Sequence, residues 1–303
     1  MTRLIKFRVG DSGRSRFGLW EQTEAGDRVR PLDVGSAFRA SSLAEVLHAP
    51  NPQAILAQAM QLEVESFALE DVSLLPPVDE QEVWGAGVTY LRSKVAREEE
   101  SERGAYFYDL VYAAERPELF FKATARRVIG PNSLARVRSD SRWTVPEPEL
   151  VLVITPAGKI VGYTLGDDVS ARDIEGANPL YLPQAKVYDG ACVIGPAIVP
   201  AWSLADPKTL TLSLTIVRDG TPVFQGEAPV ARLVRPLEDL VAWLFRDQTF
   251  PQGVLLFTGT GIVPPDDFHL APDDRVEITA DGLGTLRHGV APLASHPKPT
   301  PTM

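Results

Sequence analysis

Trp143-Thr-Val-Pro-Glu-Pro-Glu-Leu-Val-Leu-Val-Ile154 reads as a β-strand that carries two acids at its entrance. In a strand, residues two apart share a face, so Glu147 and Glu149 project together. Pro146 and Pro148 point the other way and offer no ladder N–H. Two carboxylates forced this close repel each other: either one is pushed to a raised pKa, or a divalent cation removes the conflict. A plainer alternative is an acidic edge facing solvent. The next apolar run leads into Gly166-Asp-Asp-Val-Ser-Ala-Arg-Asp173, where a third acid is expected in a turn, and this favours the cation. Oxygen ligands with no cluster of His or Cys select magnesium or manganese over zinc.

Outward from this stretch the chain is a succession of short strands and turns. Its 26 prolines in 303 residues are about 9%, against about 5% in ordinary proteins, which argues against a bundle of long helices. Residues 4–9 and 17–21 read as an opening hairpin around Asp11-Ser-Gly. Ser41–Leu47 and Asn51–Met60 read as two short helices, the second with Asn51 as N-cap and Pro52 in its first turn. Leu74-Leu-Pro-Pro-Val-Asp79 then stops any regular element. The expected organisation is a small N-terminal α+β domain over residues 1–77 and a C-terminal domain over 78–303. In the latter, Glu82–Val88 begins as a strand and Thr89–Glu100 is a charged helical stretch, most simply a solvated face. Thr209–Ile216 alternates polar and apolar residues and turns at Asp219-Gly220 into Pro222–Gln225, the clearest hairpin of the chain. Pro236–Phe245 is expected to be helical, with residues 237, 240, 241, 244 and 245 on one face. The proline-containing tail from Ser295 is expected to be disordered.

Composition narrows the function classes. Thirty Lys+Arg against forty Asp+Glu give a net charge of −10, and no basic cluster interleaves with aromatics, so nucleic acid is not an expected partner. No apolar run approaches the roughly 18 residues that a membrane span requires, so no membrane association is expected. A single cysteine, Cys192, and no signal-like start make the cytoplasm the expected location.

Glu147-x-Glu149, Gly162-Tyr-Thr-Leu-Gly-Asp-Asp-Val-Ser-Ala-Arg-Asp173, Lys186, Gly195-Pro196 and Thr258-Gly-Thr-Gly261 together resemble the fumarylacetoacetate hydrolase family over residues 82–290. The resemblance implies an α+β chain whose C-terminal domain is a mixed β-sandwich roll. It further implies a magnesium ion held by Glu147, Glu149 and Asp168, with manganese or calcium as possible substitutes. Asp168 takes the ligand role because the family places its ligand at the second position of the matching string; Asp167 becomes a hydrogen-bonding neighbour. Three carboxylates leave about three octahedral positions for water or a chelating 2-oxo acid. Lys186 matches the active-site lysine of the family, and Thr260 the threonine that bonds the substrate carboxylate.

One departure bears on the reaction. Hydrolases of this family carry Asn-Tyr-x-x-His, in which the histidine activates water; here the segment reads Thr89-Tyr-Leu-Arg-Ser93. Tyr90 is kept, Ser93 stands in the histidine's place, and serine is no general base near neutral pH. His48, His269, His288 and His296 lie elsewhere and read as surface or turn residues. The chain is similar instead to a sugar-acid dehydratase branch of the family, through Arg116-Pro-Glu-Leu-Phe-Phe-Lys122 and Asn178-Pro-Leu-Tyr-Leu-Pro-Gln-Ala-Lys-Val-Tyr-Asp-Gly190. That likeness implies a lyase converting a 2-keto-3-deoxy-pentonate to 2,5-dioxopentanoate. Glu118 and Lys186 would form the acid/base pair, and Tyr90, Arg92, Ser93 and Thr260 would contact the substrate. A homo-oligomer, dimer or tetramer, is expected. The competing readings are an acylpyruvate hydrolase or oxaloacetate decarboxylase on the same metal site, and a binding module that has lost activity. Retention of three clustered acids with Lys186 argues against the last, because an unused acidic cluster is costly to keep.

Overall fold

The computed structural model describes residues 1–10, 13–24, 26–32, 40–90, 111 and 114–292. The charged stretch from residue 91, the turn at Asp11-Ser12 and the proline-containing tail lie outside them. At the N-terminus β1 (Arg3–Val9), β2 (Arg16–Thr23) and β3 (Gly26–Pro31) form an antiparallel meander. Helices α1 (Leu43–His48) and α2 (Pro52–Met60) follow, and then the short strands β4 (Phe67–Ala68) and β5 (Val72–Leu75). Asn51 caps the second helix as expected, and Ser42 caps the first. Ser42 Oγ accepts the Glu45 N–H at 3.1 Å and Asn51 Oδ1 accepts the Ala54 N–H at 3.0 Å. Leu4 on β1 packs with Val46, Leu47 and Leu56 of the helices, while Ile5 and Phe7 turn to Val29 and Ala197.

After Pro76 and Pro77 the strands are β6 (Glu82–Gly87), β7 (Glu118–Ala123), β8 (Val128–Ile129), β9 (Leu134–Ala135), β10 (Thr144–Val145), β11 (Pro148–Ile154), β12 (Ile160–Asp168) and β13 (Ser170–Ala171). Two short helices intervene, α3 (Arg172–Ala177) and α4 (Leu182–Lys186). Next come β14 (Cys192–Pro200), β15 (Thr211–Arg218), β16 (Thr221–Pro229), α5 (Leu237–Leu244), β17 (Val254–Phe257), β18 (Arg275–Ala280) and β19 (Gly284–Val290). Among the described residues a 12-stranded sheet runs β4-β3-β2-β1-β14-β12-β11-β17-β6-β7, with β5 on β1 and β8 on β14. A second sheet, β16-β15-β18-β19-β9, covers part of it. The β15–β16 hairpin turns through Asp219 and Gly220 at φ of 50° and 78°, the left-handed pair that a two-residue turn requires.

The core between the sheets joins Leu150, Leu152, Ile154 and Leu165 to Leu214, Ile216, Ile278 and Leu286, closed by Leu240 and Leu244 of α5. On the opposite face of the large sheet Val151 and Phe257 pack with Val83 and Ala123. β11 is therefore buried on both sides, which is why its sequence runs Leu-Val-Leu-Val-Ile without polar alternation. Glu149 shares a face with Val151, so its carboxylate points away from the second sheet. The architecture is α+β, as the sequence implied.

Candidate active site

Three carboxylates meet at the end of β11 and β12. Glu147 precedes β11, Glu149 lies in it opposite Gly166, and Asp168 closes β12, so the third acid is a strand residue and not in the expected turn. One oxygen from each lies within 4.8 Å of the others, and all three residues are buried. Asp167 and Asp168, adjacent in a strand, face opposite ways. Asp168 joins the cluster, whereas Asp167 reaches His288 at 2.8 Å and accepts the Glu147 N–H at 2.7 Å.

Cations balance this cluster. Lys186 ends α4 and is 1% exposed. Its Nζ donates to Glu147 Oε2 at 2.7 Å, Asp168 Oδ2 at 3.1 Å and Ser170 Oγ at 2.6 Å. Arg172 Nη2 donates to Glu147 Oε1 at 2.6 Å. Lys122 pairs with Asp168 Oδ1 and donates to the carbonyls of Lys186 at 2.7 Å and Val169 at 3.2 Å. It gets there through a β-bulge: Val83 pairs with Ala123 but Trp84 with Phe121, leaving Lys122 as the extra residue. Glu149 Oε2 accepts the Gly259 N–H at 2.5 Å. Gly259 has φ of 93°, and a side chain there would run into Thr89 Oγ1, so glycine is required.

Burial pushes the Glu149 carboxyl well above the usual carboxylate range, and the neighbouring Asp168 and Glu147 charges add to the shift against the opposing Lys186 and Gly259 N–H. Three clustered carboxylates, made only of oxygen donors, fit a hard divalent cation such as magnesium. Tyr90 packs its ring on Gly261, and burial together with the Glu149 charge raises its phenol above the ordinary value.

Glu118 opens β7 opposite Gly87, and any side chain at 87 would collide with its carboxylate. Two residues on, and on the same face, Phe120 lies with its ring centroid 5.5 Å from Lys186 Nζ. Glu118 thus stands on the strand face turned toward Lys186. The Thr260 hydroxyl donates to the carbonyls of Pro148 at 2.9 Å and Ile262 at 3.2 Å. Arg92 and Ser93 lie outside the described residues.

A family model, the C-terminal part of fumarylacetoacetate hydrolase, matches residues 82–291. The chain belongs to the fumarylacetoacetate hydrolase family. Within that family it is 46% identical over 229 residues to 2-dehydro-3-deoxy-D-arabinonate dehydratase of Saccharolobus solfataricus, covering 74% of this chain and 76% of that one. It is 50% identical over 214 residues to a probable 2-keto-3-deoxyxylonate dehydratase of Haloferax volcanii, covering 71% and 73%. A solved structure of 2-keto-3-deoxy-D-arabinonate dehydratase complexed with magnesium and 2,5-dioxopentanoate superposes with a TM-score of 0.77 at 36% identity, covering 96% of this chain and 99% of that one.

The site also contains residues that spacing and motif likeness do not single out. Lys122, Ser170 and Arg172 all sit in the motifs of the resemblance, but their contacts join separate elements and leave no periodic trace. His288 is a correction: it is not a surface or turn residue but 1% exposed inside β19. Leu286, His288 and Val290 alternate on the buried face of that strand, and this period of two was the available signal.

Proposed function

We propose that this chain is a magnesium-dependent dehydratase that converts a 2-keto-3-deoxy-pentonate to 2,5-dioxopentanoate. The observation that carries the reading is the buried Lys186 ammonium held between Glu147 and Asp168, beside the strand face bearing Glu118. The dehydratase names of the relatives, and the magnesium and product in the superposed structure, support it.

Glu147, Glu149 and Asp168 would hold the magnesium. When bound, the ion supplies Lewis acidity to a 2-keto oxygen and disfavours the ammonium form of Lys186. Of Lys186 and Glu118, one removes the C3 proton and the other protonates the departing C4 hydroxyl, so that water leaves and a C3–C4 double bond forms. A C5 proton is then lost to give a dienol, which takes up protons at C3 and C4 as its two hydroxyl protons leave, yielding 2,5-dioxopentanoate. Two titrating groups of opposite type are what such an elimination needs. Arg172 and Lys122 hold Glu147 and Asp168 by ion pairs, fixing their carboxylates for the ion. Tyr90, Arg92, Ser93 and Thr260 are assigned to the substrate; Thr260 must release Pro148 O to use its hydroxyl there.

The finer parts of the reading are a place in pentose catabolism, a cytoplasmic location, a homo-oligomer and a domain boundary near residue 77. Leu180 at 82% exposure and Tyr181 at 44% are side chains that a second copy would cover. Incubation with a panel of 2-oxo acids, with and without magnesium, followed by mass analysis, tests the function. Magnesium-dependent loss of water from a 2-keto-3-deoxy-pentonate alone is expected; turnover of other 2-oxo acids only would refute it.

A further inference from the structure

His288 and Asp167 form a polar contact across the apolar space between the two sheets. His288 comes from β19 of the second sheet, Asp167 from β12 of the first, and both side chains are fully buried. Leu165 and Leu286, which share their faces of the two strands, belong to the common apolar core. Removing a carboxylate and an imidazole from water is costly, and two apolar side chains would fill the same space without that cost. Packing alone therefore does not account for the pair.

Its reach into the site is short. Asp167 Oδ1 accepts the Glu147 N–H at 2.7 Å, while the Asp168 N–H donates to Glu147 O at 2.9 Å. The backbone of Glu147 is thus gripped at both its polar groups by two consecutive residues of β12. In Pro146-Glu147-Pro148 the Glu147 N–H is the one amide donor, so no neighbouring N–H can replace that bond. The other oxygen of Asp167 meets His288 Nε2 at 2.8 Å, and His288 Nδ1 lies 3.0 Å from Gly289 O. Both ring nitrogens lie within hydrogen-bond distance of an oxygen, so the ring is held from two directions and in turn fixes the plane of the Asp167 carboxylate.

We infer that His288 is a positioning residue for the cation site, acting through Asp167 to hold Glu147 and Asp168 at their mutual spacing. The inference rests on the reading of Glu147, Glu149 and Asp168 as cation ligands. Asparagine at 167 preserves the arrangement: its oxygen still accepts from Glu147, and its amide still reaches the His288 ring. Alanine at 167, or leucine at 288, breaks it.

Calorimetric titration of the metal-free full-length protein with magnesium chloride tests this, with thermal melting as the check on folding. His288→Leu and Asp167→Ala are each expected to weaken magnesium binding by about tenfold or more, the usual range for groups that orient metal ligands. The double variant should lose no more than either single one, and Asp167→Asn should bind close to wild type. If His288→Leu does not fold, Asp167→Ala against Asp167→Asn carries the same comparison. Glu149→Gln separates the two claims. If it loses magnesium while folded His288→Leu and Asp167→Ala bind as wild type does, the positioning role is overturned and the ligand reading stands. If Glu149→Gln binds as wild type does, both fall.

Discussion

Lys186 Nζ lies 2.7 Å from Glu147 Oε2, with both side chains all but excluded from solvent. A buried ammonium shared by two carboxylates balances their charge, and in the proposed mechanism it also exchanges a proton with the substrate. Lys186→Met should lower turnover by about 10²- to 10⁴-fold, the usual contribution of one general acid or base. It should also destabilise the metal-free protein by about 3–5 kcal/mol, because Glu147 and Asp168 lose a buried counter-charge. Saturating magnesium should restore much of that stability and none of the turnover. Steady-state kinetics and melting with and without chelator check this; near wild-type turnover would return Lys186 to a purely structural role.

Glu118 faces Gly87 with no room for a methyl group between them. Glu118→Gln should lower kcat by about 10²- to 10⁴-fold with substrate binding largely preserved. Gly87→Ala should lower kcat in the same direction by displacing the carboxylate, while magnesium affinity, set by other strands, stays unchanged. An unaltered kcat in both variants would remove Glu118 from the mechanism.

Glu149 gives a pH signature. Its raised pKa means that the folded metal-free protein keeps a proton that the unfolded chain releases. The native state then binds more protons, so stability is present below the ordinary glutamate value and is lost as pH rises through the raised folded value. Magnesium requires the deprotonated group, so its affinity should rise over the same window. Glu149→Gln should flatten the melting-temperature profile in chelator and weaken magnesium strongly. Parallel profiles for wild type and variant would contradict the assignment.

Where local rules govern, the sequence was readable. The cap at Asn51, the Asp219-Gly220 hairpin and the proline stop at 76–77 follow from residues within a few positions of one another. Glu147 and Glu149 were readable as a pair for the same reason. Asp168 was placed by the family string, although strand alternation through Leu165 and Asp167 also separates the two aspartates. Contacts made by register over long distances were not legible. His288 meets Asp167 across 121 positions, and Lys122 reaches Asp168 only because a bulge redirects it. Neither partner is encoded near its mate, so only the assembled sheets reveal them.

Ser93 stands where the hydrolases of the family carry histidine, and the choice between elimination and hydrolysis turns on that difference. Elimination needs a C3 proton acidified by the neighbouring 2-keto group and a hydroxyl at C4; a simple acylpyruvate has the first without the second. The most direct test offers the purified protein, with magnesium, a 2-keto-3-deoxy-pentonate and an acylpyruvate side by side, and follows the mass of each. Loss of one water from the sugar acid, giving an aldehyde that reacts with a carbonyl reagent, with the acylpyruvate left intact, is the expected result. Cleavage of the acylpyruvate to pyruvate with the sugar acid untouched would contradict the dehydratase reading and establish a hydrolase.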